Sequence, residues 1–181
     1  MAEIACAFTG HRPRSFPWKG DATAPGCALL KKTLAEQIKL LADRGVTDWL
    51  SGIAQGVDLW AAEIVLGLKK KNPVLRLHFI LPCERRECKW LASKQERYRS
   101  ILWQTDEVIC VAQEYSRDCM LKRNRYLVEH SSVLLAVYNG TYRSGTGMTV
   151  RYAKQPGRET IVIDPVSRSG SYEKAERSNR R

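Results

Sequence analysis

A chain of 181 residues with a hydrophobic fraction of 44% is long enough for one domain with a sizeable core. No apolar run approaches the ~20 residues of a membrane span, so we expect no membrane partner. The net charge of +11 favours phosphate-bearing ligands or nucleic acid as partners, although a basic, solvated surface explains it equally well. A homo-oligomer is compatible with this composition.

The six cysteines indicate a reduced, cytoplasmic protein. They form no Cys-x-x-Cys pair, and no secretory leader precedes the first apolar run. His78, Cys83 and Cys88 are the nearest approach to a zinc site, but their spacing fits no common ligand set. We therefore predict neither a metal site nor a cofactor. His78 and His130 are expected to be structural.

The first predicted strand, 4–8, runs directly into a polar turn made of Thr9, Gly10, His11, Arg12 and Pro13. Gly10 allows the chain to turn, and Arg12 is a natural partner for phosphate. An ordinary surface arginine beside a turn is the alternative interpretation. A loop rich in Pro and Gly over 15–25 and a helix over 26–44 follow.

The second predicted strand, 46–50, leads into the stretch around which we expect the site to be organised: Ser51, Gly52, Gly56 and Asp58. A glycine turn between a strand and a helix leaves the first helical N–H groups free, which creates an anion site. The alternative is a tight turn in which Asp58 merely suits the helix dipole. The helix, which extends to 71, also carries Glu63, whose carboxylate needs a basic partner or a ligand hydroxyl.

Four more strands and three more helices complete the pattern. The strands are predicted over 75–81, 107–112, 132–138 and 160–163, and the helices over 84–102, 118–130 and 148–154. Strict alternation of strands and helices predicts an α/β fold with a mainly parallel sheet and helices on both faces. The segment 167–181 is basic and nearly devoid of apolar residues, so we predict a disordered tail after a domain of residues 1–166.

The polar loops all follow strands, and this places them at one edge of a parallel sheet. Ligands bind in such sheets outside the carboxyl ends of the strands. A second glycine-rich loop follows the strand over 132–138, and it contains Asn139, Gly140, Gly145, Thr146 and Gly147. Arg123 and Asn124 lie near the start of the helix over 118–130, which begins at the same edge. We expect these residues to share a crevice with the loops at Thr9 and Ser51.

Four motifs, in order, resemble the SLOG superfamily, and its YpsA-like family of bacterial and phage proteins most closely. They are the turn at 9–13, the stretch 51–63, Asn124-Arg125-Tyr126, and the run 136–147. The resemblance covers nearly everything from 4 to 163. It implies a Rossmann-like, three-layer α/β/α fold and a nucleotide or nucleotide-derived ligand at these loops.

Two members of the superfamily suggest alternative functions. The LOG cytokinin-activating hydrolases use an Arg in a Met-x-x-Arg motif, which Met120 to Arg123 matches, and a Glu that follows a glycine-rich motif. No Glu follows the glycines in the helix predicted over 148–154, and Glu63 is only a candidate replacement, so we expect binding with little or no turnover. The Rossmann-like domain of DprA prefers single-stranded DNA, which would suit the charge, but we see no aromatic-rich basic groove in the sequence.

We rank a sensor or carrier of a nucleotide-derived small ligand first. An N-glycosidic hydrolase acting on nucleoside monophosphates is second, and single-stranded DNA binding is third.

Overall fold

The computed structural model describes residues 4–83, 92–167 and 169–173. Its sheet has seven strands in the order β4-β3-β2-β1-β5-β6-β7. The strands are β1 Ile4–Gly10, β2 Val46–Ser51, β3 Arg76–Leu81, β4 Glu107–Cys110, β5 Val133–Val137, β6 Glu159–Ile163 and β7 Gly170–Glu173. β1 to β6 pair in parallel, and β7 pairs antiparallel with β6 at the edge.

The helices cover both faces of the sheet and complete the predicted three layers. They are α1 Pro25–Asp43, α2 Val57–Lys69, α3 Ala92–Leu102, α4 Cys119–Glu129 and α5 Gly145–Lys154. α1, α2 and α3 share one hydrophobic cluster, and α4 and α5 contribute to a second. None of the described helices is long and apolar enough to cross a membrane. The Rossmann-like α/β fold predicted from the resemblance is confirmed.

The two clusters arise from the alternation of side chains along the central strands. In β1, Cys6 and Phe8 point to the first cluster, whereas Ala7 points to the second. Phe8 stacks on Trp49 of β2 with ring centroids 5.7 Å apart, and both side chains are fully buried. This packing fixes the ends of β1 and β2, where the candidate site begins.

The strand order reverses between β1 and β5. From β1 the chain builds outward through β2, β3 and β4, and then crosses to β5 on the other side of β1. In doubly wound sheets this switch point opens a crevice at the carboxyl ends of the strands. The loops that follow β1 and β5 flank that crevice.

Two predictions from sequence need correction. Residues 170–173 form β7, so this part of the tail is an ordered strand, and the sheet has one antiparallel edge. The last helix begins at Gly145 rather than 148, because Ser144 accepts a hydrogen bond from the N–H of Gly147 and caps the helix there. The predicted helix start at 84 and the end of the tail, 174–181, lie outside the described residues.

Ending the chain after Val166 should lower the free energy of unfolding by about 1–3 kcal/mol relative to a chain that ends after Glu173, because net hydrogen-bond contributions are about 1 kcal/mol each. The shorter chain loses the β6–β7 pairing and the 2.9 Å hydrogen bond from the Tyr172 hydroxyl to Gln37. Urea unfolding of both chains measures the difference. Equal stability would show that β7 contributes nothing to the fold.

Candidate ligand-binding cleft

Two adjoining recesses form one cleft at the carboxyl edge of the sheet. The polar recess, about 310 Å³, lies at the switch point and is lined by the β1–α1 loop, α4 and the start of α5. The second recess, about 270 Å³, lies beside the β2–α2 loop, and we call it the apolar recess after Leu81, Pro82 and Tyr98. Its lining also includes Arg12, Gln55 and Arg123. The two recesses share Arg12, Ala54, Met120 and Arg123.

The start of α5 supplies hydrogen-bond donors to the polar recess. Ser144 uses its hydroxyl oxygen to cap the N–H of Gly147 at 2.9 Å, while its own O–H donates to the carbonyl of Thr141. The N–H groups of Gly145 and Thr146 lie in the first turn of α5, where the helix itself offers them no acceptor, and both residues line the recess. With the positive end of the helix dipole, they favour an anion at this point.

The β2–α2 loop uses its polar groups to hold itself together. Ser51 is fully buried; its hydroxyl accepts from the N–H of Ile53 and donates to the carbonyl of Asp58. The Asp58 carboxylate accepts from the N–H of Ala54 at 3.2 Å. Gly56 caps α2 with φ +100°, a conformation that favours glycine. The anion site expected at this loop is therefore better provided by α5.

A buried ion pair crosses the cleft between the two helical layers. Nη1 of Arg123, on α4, lies 3.5 Å from Oδ2 of Asp58, on α2, and both side chains are almost completely buried. Burial raises the pKa of Asp58 to about 6, and the nearby charge of Arg123 offsets part of that rise. At neutral pH the carboxylate is ionised, so the pair is close to neutral overall.

The Arg123 guanidinium lies directly over the backbone of Gly52. A Cβ added at Gly52 would fall 1.3 Å from Nη1, so any larger residue must displace the arginine. Glycine is required here to make room for a side chain from another layer of the fold.

His11 connects the loops that follow β1 and β5. Its Nε2 accepts a long hydrogen bond, 3.5 Å, from the N–H of Asn139, and its ring lies against Tyr138. Burial lowers the pKa of His11, which favours the neutral ring that can accept this bond. His11 thus acts as a hydrogen-bond acceptor between the two loops.

Ten of the sixteen predicted ligand contacts line the cleft. They are Thr9, Gly10, His11, Arg12, Gly52, Asp58, Arg123, Asn124, Gly145 and Thr146. The other six lie outside both linings: Ser51, Gly56, Glu63, Asn139, Gly140 and Gly147. Most of these six have structural roles in the loops or, like Gly140, face open space.

Of these six residues, Glu63 departs most clearly from its predicted role as a ligand contact. Its carboxylate forms a two-point ion pair with Arg97 of α3, with both bonds at 2.6 Å, on the outer side of α2. The basic partner anticipated for this carboxylate is therefore within the fold. Glu63 is accordingly not available as the replacement acid of a hydrolase.

The sequence interpretation overlooked the apolar recess. Leu81 and Pro82 lie at the carboxyl end of β3. Because ligands bind outside the carboxyl ends of parallel strands, their position in the sequence was a usable signal. Met120, the first residue of the Met-x-x-Arg motif, lines both recesses. Tyr98 lies within the helix predicted over 84–102, and helical spacing alone does not place it in the lining of a recess.

Metal-binding groups are not assembled here. In the described ranges no three His, Cys, Asp or Glu side chains are placed to hold a metal ion. Cys83 is buried, whereas Cys88 lies outside the described residues. His78 bridges Asp48 and Glu107 at 2.8 and 3.0 Å, so it has the partners that the sequence did not reveal. His130 stacks on Tyr126.

Gly52→Ala should lower the free energy of unfolding by about 1–3 kcal/mol, because the added methyl group forces Arg123 out of its place. Gly67→Ala is the matched control: it lies within α2 with open space around its Cβ and should raise stability by about 0.5–1 kcal/mol. Urea unfolding compares the two variants. A Gly52→Ala protein as stable as Gly67→Ala would disprove the close contact.

The fold has a solved relative. DNA processing protein A from Helicobacter pylori, whose structure describes a single-stranded DNA binding mode, superposes with a TM-score of 0.59 over 89% of this chain at 19% identity. This chain covers 65% of that longer chain, less than two thirds of its length. At this identity the likeness establishes the shared fold alone.

Sequence relatives establish the family. The chain is 32% identical to a UPF0398 protein of Bacillus cereus, over 92% of this chain and 84% of the relative. It is 30% identical to a UPF0398 protein of Lysinibacillus sphaericus, over 73% of this chain and 74% of that one. The YpsA family model, described as the YspA SLOG family, matches residues 6–166. The resemblance seen in the loop motifs is thus confirmed, and the chain belongs to the YspA SLOG family.

Proposed function

We propose that the cleft binds a nucleotide or a nucleotide-derived small ligand, as a sensor or carrier. The observation that carries the proposal is the junction of a site for an anion with an apolar recess. The start of α5 and Arg12 suit a phosphate, and Tyr98, Met120 and Pro82 suit a base. A nucleotide has both kinds of group within one small molecule.

The charges in the polar recess favour phosphate as the anionic group. Arg12 is exposed, lines both recesses, and can form paired hydrogen bonds to phosphate oxygens. The charge of Asp58 is balanced by Arg123, so the carboxylate does not cancel the contribution of Arg12. Asn124 lines the polar recess and can offer its amide to the hydroxyl groups of a sugar.

Hydrolysis of an N-glycosidic bond remains the second candidate. Arg123 follows Met120 as in the LOG motif, and both residues line the cleft. The helix that follows the glycine-rich motif, Gly145–Lys154, contains no Glu. Asp58 is the one carboxylate among the described lining residues, and its pairing with Arg123 gives it a structural role. We therefore expect binding without appreciable turnover.

Single-stranded DNA binding is the third candidate. It is supported by the described binding mode of the Helicobacter pylori protein and by the net charge of +11. Neither observation concerns the cleft itself.

Arg12→Ala should weaken nucleotide binding by roughly tenfold or more, because a hydrogen-bonded charge is lost from the phosphate position. Arg14→Ala is the control, since it removes the same charge two residues away, from a side chain outside both linings. Titration calorimetry with a panel of 5′-mononucleotides gives the affinities. Equal losses in the two variants would contradict a specific phosphate contact.

The same preparation separates the three candidates. Single-strand binding through the phosphate backbone loses about 0.7 log units of affinity per contact for each tenfold rise in salt, whereas a directed pocket responds far less. Strong single-strand binding near physiological salt, with no response to mononucleotides, would favour the DNA candidate. Release of free base that depends on Arg123 would favour the hydrolase.

A further inference from the structure

A basic groove of about 400 Å³ lies between α4 and α5, beside the cleft. It shares Met120, Asn124 and Gly145 with the polar recess, so the two adjoin at these residues. Arg117 and Arg125 line it from the α4 side, and Arg151 lines it from α5. None of the functions discussed above uses this groove.

The groove has a strongly positive lining. The described residues that line it include three arginines and neither Asp nor Glu. On α4, the Glu129 carboxylate accepts a hydrogen bond from the Tyr152 hydroxyl. At the start of α4, Asp118 pairs with Lys122 at 3.0 Å, so its charge is already balanced. An anion in the groove would therefore meet a net positive field.

Two of the three arginines are oriented by aromatic rings. The guanidinium of Arg125 lies 5.5 Å from the ring centre of Tyr152, and that of Arg151 lies 3.8 Å from the ring centre of Tyr142. Arg151 also donates to the carbonyl of Tyr142 at 2.8 Å. Stacking and hydrogen bonding limit the motion of both side chains, which reduces the entropy lost when they bind a ligand.

The floor of the groove can also accept an uncharged, flat group. Met148 is 48% exposed despite its apolar side chain, and it lines the groove together with Tyr152. A thioether beside an aromatic ring is a favourable surface for a base or a sugar. The groove thus repeats, on a second site, the combination of positive charge and apolar surface found in the cleft.

We infer that the α4–α5 groove is the subsite for a second phosphate-linked nucleoside, so that the preferred ligand is a dinucleotide rather than a mononucleotide. This inference rests on the proposed function, because the first nucleotide occupies the cleft. Met120 and Gly145 line both places, so a ligand that passes these residues would reach from the cleft into the groove. A mononucleotide bound in the cleft leaves the three arginines without an anion.

The test compares 5′-mononucleotides with the matching 5′-phosphorylated dinucleotides by titration calorimetry. The dinucleotide should bind the full chain roughly tenfold more tightly or better, because it adds charge-assisted hydrogen bonds in the groove. The double variant Arg117→Ala/Arg125→Ala should lose that gain and retain the affinity for mononucleotides. Met148→Glu, a change at an exposed position, should also lose it by placing a negative charge in the groove.

Arg99→Ala on α3, on the opposite face of the sheet, is the control and should keep the gain. Equal affinities for mono- and dinucleotides in the full chain would overturn the inference. A gain that grows with strand length and survives in the double variant would do so as well, since general basic surface would then explain it. Dinucleotide binding that is lost in the double variant but unchanged in Arg12→Ala would support the groove and contradict the proposed function. No binding of either probe would contradict both.

Discussion

The ion pair between Asp58 and Arg123 is the interaction on which the cleft depends. Asp58 comes from the helical layer on one face of the sheet and Arg123 from the other, so the pair joins both layers at the carboxyl edge. Removing one partner of such a buried pair typically costs about 3–5 kcal/mol, because the remaining charge is left uncompensated. Gly52 leaves the space that Arg123 needs to form the pair. The loop around it is fixed by hydrogen bonds from the N–H of Ile53 to Ser51 and from the N–H of Ala54 to Asp58.

That pair also determines where a ligand's negative charge can be held. Two N–H groups of the β2–α2 loop donate hydrogen bonds to the side chains of Ser51 and Asp58, so they are not available to a ligand. The charge of Arg123 balances the buried carboxylate. The excess positive potential therefore comes from Arg12 and from the start of α5. The cleft then continues in two directions, to an apolar recess beside Tyr98 and to a basic groove between α4 and α5.

Much of this organisation could be predicted from sequence, because strand–helix alternation fixes the sheet and the switch-point rule selects the loops at one edge. Individual roles could not, since they depend on contacts between distant residues. Ser51 and Arg12 each follow a strand in a polar loop, and the sequence predicts a ligand contact for both. Arg12 lines the polar recess, whereas Ser51 is fully buried. The pairing of Glu63 with Arg97 joins residues 34 positions apart in the sequence. The segment that forms β7 has few apolar residues, and it is ordered because it pairs with β6 at the edge of the sheet.

A thermal-shift screen of the intact chain against nucleotides and ADP-ribose-like compounds tests the central claim most directly. A ligand that binds only the folded state adds about 2.7 kcal/mol of stability at 100 times its dissociation constant. We predict that at least one nucleotide class raises the melting temperature in a saturable way, and that Arg12→Ala reduces the shift. No saturable shift with any nucleotide, at concentrations up to the millimolar range, would contradict a nucleotide-binding cleft.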